Sequence, residues 1–277
     1  MLRSSNPILS KKDAFTPAAP QYGSPYSPGG YGQSPHGYHQ VPETGYQQPP
    51  VDSGARMTFD DVVTKTAITM AVLVVSAALA WYALPANLMF PALVASGLVG
   101  FLVVMVVSFR RTINPGLVLL YAAIEGVFIG MISKYFEYLY SGIVAQAVLG
   151  TFAAAGVTLA AYKFFNIRVT PKFQKVVIIA TIGFAVALLL NFLLSLAGVN
   201  LGLRDDGTGS VSLLAIGVSL LGVVLAVLNL VLDFDYIEKG VAMGAPAKES
   251  WRGAFGLTVT MVWLYIEILR ILSYLRR

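Results

Sequence analysis

Residues 211–232 read VSLLAIGVSLLGVVLAVLNLVL, an unbroken run without one charged side chain, and the chain then turns to DFDYIEKG over 233–240. Crossing the hydrocarbon of a bilayer takes about 20 predominantly apolar residues at 1.5 Å each. The run therefore predicts a membrane-spanning helix with two aspartates, Asp233 and Asp235, at its end. Working outward, six further runs of similar length appear, at about 62–84, 90–109, 116–136, 141–162, 174–198 and 253–275. Pro85, Pro115, Pro171 and Pro246 fall in the breaks and Pro91 at the very start of its run, where a missing N–H does little harm. Lipid offers the backbone no hydrogen-bond partner, so each run is expected to be a helix rather than an open strand. The expected fold is an all-α integral membrane protein with seven transmembrane helices.

Composition agrees. Of 277 residues 56% are hydrophobic and only 12% charged, against about 25% charged in a soluble domain. That excludes a soluble enzyme and a mostly disordered chain. With no cysteine, disulfides, thiol nucleophiles and iron–sulfur clusters are excluded too. The excess of 19 Lys and Arg over 14 Asp and Glu is modest, and no nucleic-acid partner is expected.

Residues 1–57 hold nine of the fourteen prolines, both histidines and five of the fourteen tyrosines. Between Thr16 and Pro50 the only aliphatic side chain larger than alanine is Val41. Such a stretch buries too little apolar area to offset the entropy of ordering it, so it is expected to be a disordered tail. The transmembrane domain then covers 58–277. Lys11 and Lys12 precede Asp13 and prolines rather than an apolar run, so the tail does not read as a signal peptide. His36 and His39 form no metal site by themselves.

Loop charge sets the orientation. The tail through Lys65, the break at Arg110 and Arg111, the break with Lys163, Arg168, Lys172 and Lys175, and the break with Lys239, Lys248 and Arg252 carry fourteen Lys and Arg. The alternate side carries four: Lys134, Arg204, Arg276 and Arg277. The N-terminus is expected in the cytoplasm. Seven crossings put the C-terminus outside, although its Arg-Arg pair leaves open a last segment that enters without crossing.

An ionisable side chain at bilayer depth costs about 2.5–3.5 kcal/mol on insertion scales, so it needs a partner or a task. The candidates are Glu125, Asp233, Asp235, Glu267 and Arg270, with Asn191 and Asn229 adding neutral polarity. Gly126 and Gly130, beside Glu125, form a Gly-x-x-x-Gly pair that lets another backbone come close. Asn229 and Asp233 are four apart and share a helix face. Asp235 points about 200° away from Asp233 and, with Glu238, reads as an interfacial group near Lys239. Glu267 has two candidate partners. Arg270 could pair with it on the same helix. Alternatively Asp233 lies across from it, and two carboxylates in contact would share one proton. Such a pair would be a pH-dependent latch between the last two helices. The secondary polar path comprises Glu125, Asn229, Asp235 and Arg270.

Several motifs carry a resemblance. LDFDYIEKG (232–240) is similar to the segment that ends helix 6 in the Bax inhibitor-1/YccA family, where an aspartate precedes an isoleucine by four, as Asp233 and Ile237 do here. WLYIEILRIL (263–272) resembles that family's last helix, and AAIEG (122–126) its small-residue signature in helix 3. The Tyr/Pro/Gly/Gln tail resembles those of actinobacterial members. The resemblance implies seven helices with the last one central and wrapped by the other six. It also implies a pH-sensitive calcium or cation leak in the cell membrane, gated by a buried carboxylate pair. Calcium would be a permeant ion and no cofactor is expected. The alternative is a non-conducting regulator of another membrane protein, such as a membrane-bound ATP-dependent protease. By position, Asp233 stands for the family's first pH-sensing aspartate, and Glu267 stands where the second is expected, one methylene longer. Arg110 or Arg111 stands for the latch arginine at the end of helix 2.

Other chemistries fail on residue inventory. No Gly-x-Gly-Asp signature supports an aspartyl protease, both histidines lie in the tail, and the last helix has no lysine for a Schiff base. No catalytic or metal-ligating residues are expected.

Overall fold

The computed structural model describes residues 55–165, 167–199, 201–204 and 212–277. Residues 1–54, with His36 and His39, lie outside that set. Seven helices follow in order: α1 (Phe59–Ala83), α2 (Met89–Phe109), α3 (Pro115–Leu139), α4 (Ile143–Phe164), α5 (Pro171–Leu196), α6 (Leu213–Ala242) and α7 (Glu249–Leu275). All seven are long and apolar enough to cross a membrane. The last, at 27 residues, is about 40 Å long at 1.5 Å per residue, enough for a full crossing.

The breaks carry the start signals. Thr58, Asn114, Thr170 and Ser212 each accept a hydrogen bond on the side chain from the first turn of the following helix, satisfying an N–H that has no helical partner. Pro115 and Pro171 occupy the first helical position after their caps, where proline costs nothing. After α6, Gly244 takes φ +63°. The Ala245 N–H then reaches the Gly240 carbonyl and the Gly244 N–H the Val241 carbonyl, a Schellman closure that needs the left-handed residue.

Contacts confirm that the breaks alternate between two ends. At the basic end, Met57 N–H donates to the Ala245 carbonyl and Ala247 N–H to that of Ala55. Lys65 adds a bond to the Ala247 carbonyl, and Arg252 reaches the Arg111 carbonyl. Backbone bonds thus tie residues 55–57 to the loop between α6 and α7. At the opposite end, Lys134 donates to the Trp81 and Leu84 carbonyls and Arg276 to that of Ser141.

Helix α7 is the most buried span, and its side chains meet all six others. Phe255 packs with Val107 of α2 and edge-on to Tyr121 of α3. Tyr265 bonds Ser133 of α3 at 2.6 Å. Ile268 covers Gly150 of α4, Trp263 meets Phe184 of α5, and Gly253 lies against Val62 of α1 and Ile237 of α6. The expected central last helix is therefore observed. The glycine pair of α3 works as read from the sequence. A Cβ at Gly126 or Gly130 would fall on the Leu73 or Ala77 carbonyl of α1, so these two backbones meet without intervening side chains.

Candidate functional site: the buried carboxylates of the last two helices

The two C-terminal helices form an antiparallel hairpin about the 243–248 loop, and its register decides which side chains can meet. Ile237 faces Gly253, Asp233 faces Gly256, and Gly222 faces Glu267. Each pair steps outward from the loop in parallel. On that register Asp233 belongs opposite residues 256–257, ten residues short of Glu267, or about 15 Å of helix. The expected Asp233–Glu267 pair therefore does not form. Helix α6 runs on to Ala242 and α7 starts at Glu249, whereas the apolar runs had implied an end near 232 and a start near 253. The aspartates lie inside α6 rather than at its end.

Asp233 is half-buried. Its Oδ2 accepts from Thr260 Oγ1 at 2.7 Å, and a Cβ at Gly256 would lie 3.0 Å from Oδ1. Asn229, one turn earlier, turns instead to α5, donating to Thr181 Oγ1 at 2.8 Å and to its own Leu225 carbonyl. The 40° between residues four apart is enough, on a helix wedged between two neighbours, to send them to different partners. Asp235 pairs with Lys239 at 2.5 Å, and Glu238 accepts from Tyr162, both at the basic end as expected.

Glu267 is 1% exposed and paired, with a partner the sequence reading did not propose. Arg204, from the segment between α5 and α6, reaches in from the opposite end. Its two terminal nitrogens lie 2.5 Å from Oε1 and 2.9 Å from Oε2. The nitrogen on Oε2 also donates to Ser219 Oγ at 2.9 Å, and the guanidinium stands 5.8 Å over the Phe184 ring. Ser219 lies six residues into α6 and Glu267 eight from the end of α7, so the pair sits about 9–12 Å inside the bundle. A bidentate fork of this kind satisfies both charges where water is excluded. Arg204 had counted only as a loop charge. The signal that could have found it is the lack of any other Lys or Arg between Lys175 and Lys239, on the side where Glu267 needed a counter-charge.

The remaining candidates stay apart from this site. Glu125 is half-buried and lies against Gly100 of α2, where a Cβ would come 2.8 Å from Oε2. Among the described residues no donor reaches its carboxylate. Arg110 and Arg111 are exposed past the end of α2, and neither side chain reaches Asp233 or Glu267. Their loop lies at the basic end, whereas Glu267 is buried toward the other. Arg270, the same-helix alternative, does not take Glu267, and its buried Nε has no hydrogen-bond partner. Among the described residues no three His, Cys, Asp or Glu gather as a metal site.

Seven membrane-length helices around a buried C-terminal helix, with a desolvated ion pair set into that core, define a multi-pass α-helical membrane protein with a polar interior. The chain belongs to the Bax inhibitor 1 like family, whose model matches residues 6–277. No curated protein matches it.

Proposed function

We propose that the protein is a pH-sensitive cation leak of the cell membrane, closed by the Arg204–Glu267 ion pair. The observation that carries this reading is the guanidinium of Arg204 seated on Glu267 inside the bundle. A fixed positive charge in a low-dielectric path opposes a cation far more than it would in water. Its withdrawal would leave Ser219, Glu267 and, deeper, Thr260 and Asp233 as oxygen ligands along the last two helices. A stable calcium site takes six to eight oxygens, more than these side chains supply, so passage fits better than storage. With the basic end facing the cytoplasm, Arg204 enters from the outer side. Departure of Arg204 from Glu267 on that side opens the path.

A second reading has its own observation. A cavity of about 400 Å³ is lined by α1, α3, α4 and α7, with Ala77, Ala78 and Gly130 in its wall. It would suit a non-conducting regulator that holds another membrane protein, such as a membrane-bound ATP-dependent protease. Calcium flux into liposomes across pH 5–8 separates the two. Under the leak reading, Arg204→Gln conducts more than wild type, while Asp233→Asn conducts less. Flux no greater than that of empty liposomes in all three sinks the leak reading in favour of the regulator.

A further inference from the structure

The cavity lined by α1, α3, α4 and α7 runs along α1 from Met70 to Tyr82, about 18 Å at 1.5 Å per residue. Tyr82 lies at the end of α1, away from the basic breaks. The cavity therefore starts near one membrane surface and reaches inward by about half of the roughly 30 Å hydrocarbon, the depth of one leaflet. In its wall Val74, Tyr82 and Phe152 are exposed, and no residue of α1 nears α4, so one side is open to whatever surrounds the bundle. At that depth the surroundings are acyl chains. The hydroxyls deep in the wall are spent. Ser133 and Tyr265 bond each other at 2.6 Å, and Thr151 donates to the Ala147 carbonyl of its own helix. An apolar space with no polar group to offer stays dry and takes apolar guests. Spread over that length, about 400 Å³ leaves a section of roughly 22 Å², one hydrocarbon chain wide. A helix about 10 Å across needs roughly 80 Å², so a partner protein places at most side chains there.

Two cations stand at the mouth. Lys134 donates to the Trp81 and Leu84 carbonyls at 2.7 and 2.9 Å, which uses two of the three donors of an ammonium group. Arg276 donates to the Ser141 carbonyl and to Gln146 at the entry of α4, beside Val144 of the cavity wall. Among the described residues neither cation forms an ion pair, so both charges are left for a partner outside the chain. Trp81 and Tyr82 flank the same end, and such aromatic side chains sit at headgroup level. We infer that the cavity seats one acyl chain of an anionic phospholipid, with the phosphate at Lys134 and Arg276 and the chain running inward toward Met70. The apolar space alone takes any chain, and the two uncompensated cations select a negatively charged headgroup. A chain held there also fills the gap between α1 and α4, which are otherwise joined only through α3 and α7.

The test uses the full chain in phosphatidylcholine vesicles. A trace of phosphatidylglycerol, or of phosphatidylcholine, carries a photoreactive diazirine halfway along one chain, and attached lipid is located by peptide mass spectrometry. The exposed face of α5, at Ile179, Val186 and Leu189, reports ordinary contact with bulk lipid. With each probe normalised to α5, labelling of Val74 and Phe152 by phosphatidylglycerol is expected to exceed that by phosphatidylcholine at least about fivefold, what one cation near a charged headgroup supplies. Ala78→Phe narrows the cavity, and Val148→Trp does so from α4 should the first fail to fold. Either is expected to bring labelling of the cavity down to the α5 level. Lys134→Gln with Arg276→Gln is expected to remove the preference for phosphatidylglycerol and to leave the phosphatidylcholine signal. Cavity labelling equal to that of α5 with both probes, or unmoved by the filling variants, overturns the seat. Equal labelling by the two headgroups overturns the anionic lipid. Cavity residues shielded from both probes overturn it too, and give the space to a partner's side chains. No ion flux enters the measurement, so its failure and that of the leak reading are distinct.

Discussion

Gly222 of α6 lies directly against Glu267 of α7, so closely that a Cβ there would come 2.7 Å from the carboxylate carbon. The same arrangement recurs at Asp233 with Gly256 and at Glu125 with Gly100. Each of these three carboxylates occupies a notch that a glycine leaves in the facing helix. A single methyl group should therefore displace the charge. Glu267 cannot swing away cheaply because Arg204 holds both its oxygens. Gly222→Ala is expected to cost about 1–3 kcal/mol, the usual range for overpacking, despite alanine's better helix propensity. Gly217→Ala has open space around it and is expected to be neutral or mildly stabilising. Thermal unfolding of both variants in detergent makes the comparison, and equal shifts would refute the notch.

Breaking the buried pair from one side is expected to be worse than breaking it from both. Arg204→Gln or Glu267→Gln alone leaves one charge without its partner, a loss of about 3–5 kcal/mol for buried pairs. The double variant leaves no such orphan and is expected to recover part of that loss. A double-mutant cycle on unfolding free energy reads the coupling. Additive losses would mean that the two groups do not sense each other.

The contact of Asp233 with Thr260 runs at 2.7 Å from the hydroxyl to the carboxylate. Thr260→Val keeps the shape and deletes the donor. Asp233→Asn keeps an acceptor oxygen. Thr260→Val is therefore expected to destabilise by about 0.6 kcal/mol, the average for hydrogen bonds inside membrane bundles, and by no more than about 1.7 kcal/mol. Asp233→Asn should change stability less and ion flux more. A stability loss in Asp233→Asn larger than that in Thr260→Val would contradict this assignment.

The helices were legible in the sequence because the bilayer imposes a length and removes every backbone partner except the helix's own. The close approach of α3 to α1 was legible in Gly126 and Gly130 for a similar reason, since only glycine leaves room at that distance. The partners of the carboxylates were not. Pairing Asp233 with Glu267 required the hairpin register, and that depended on where α6 stops. Ile237 and Gly240 are buried, so DFDYIEKG continues the helix beyond the apolar run instead of leaving it. Arg204 was hidden for a different reason. Its contact joins α7 to a loop 63 residues earlier, and no local pattern encodes so distant a pairing. Its composition marks it only as a loop cation.

The short segment ahead of α1 offers a last test, because it ties the entry of the chain to the α6–α7 hairpin. Met57 is 2% exposed, packed on Val62 and Ile237, with its sulfur against Gly240. Beside it, Met57 N–H and Ala247 N–H complete an antiparallel bridge, and Lys65 spans from Asp61 to the Ala247 carbonyl. These bonds hold the loop that sets the α6–α7 register, so loosening them should act on the hairpin as well as on the segment itself. Met57→Ala removes a buried side chain and is expected to cost about 2–5 kcal/mol. Lys65→Met keeps most of the apolar stem while removing the charge, and the cost should be smaller. If the segment steadies the hairpin, amide exchange in the 243–248 loop and the first turn of α7 should quicken in Met57→Ala. Faster exchange confined to residues 55–62 would show that the segment rests on the hairpin without supporting it.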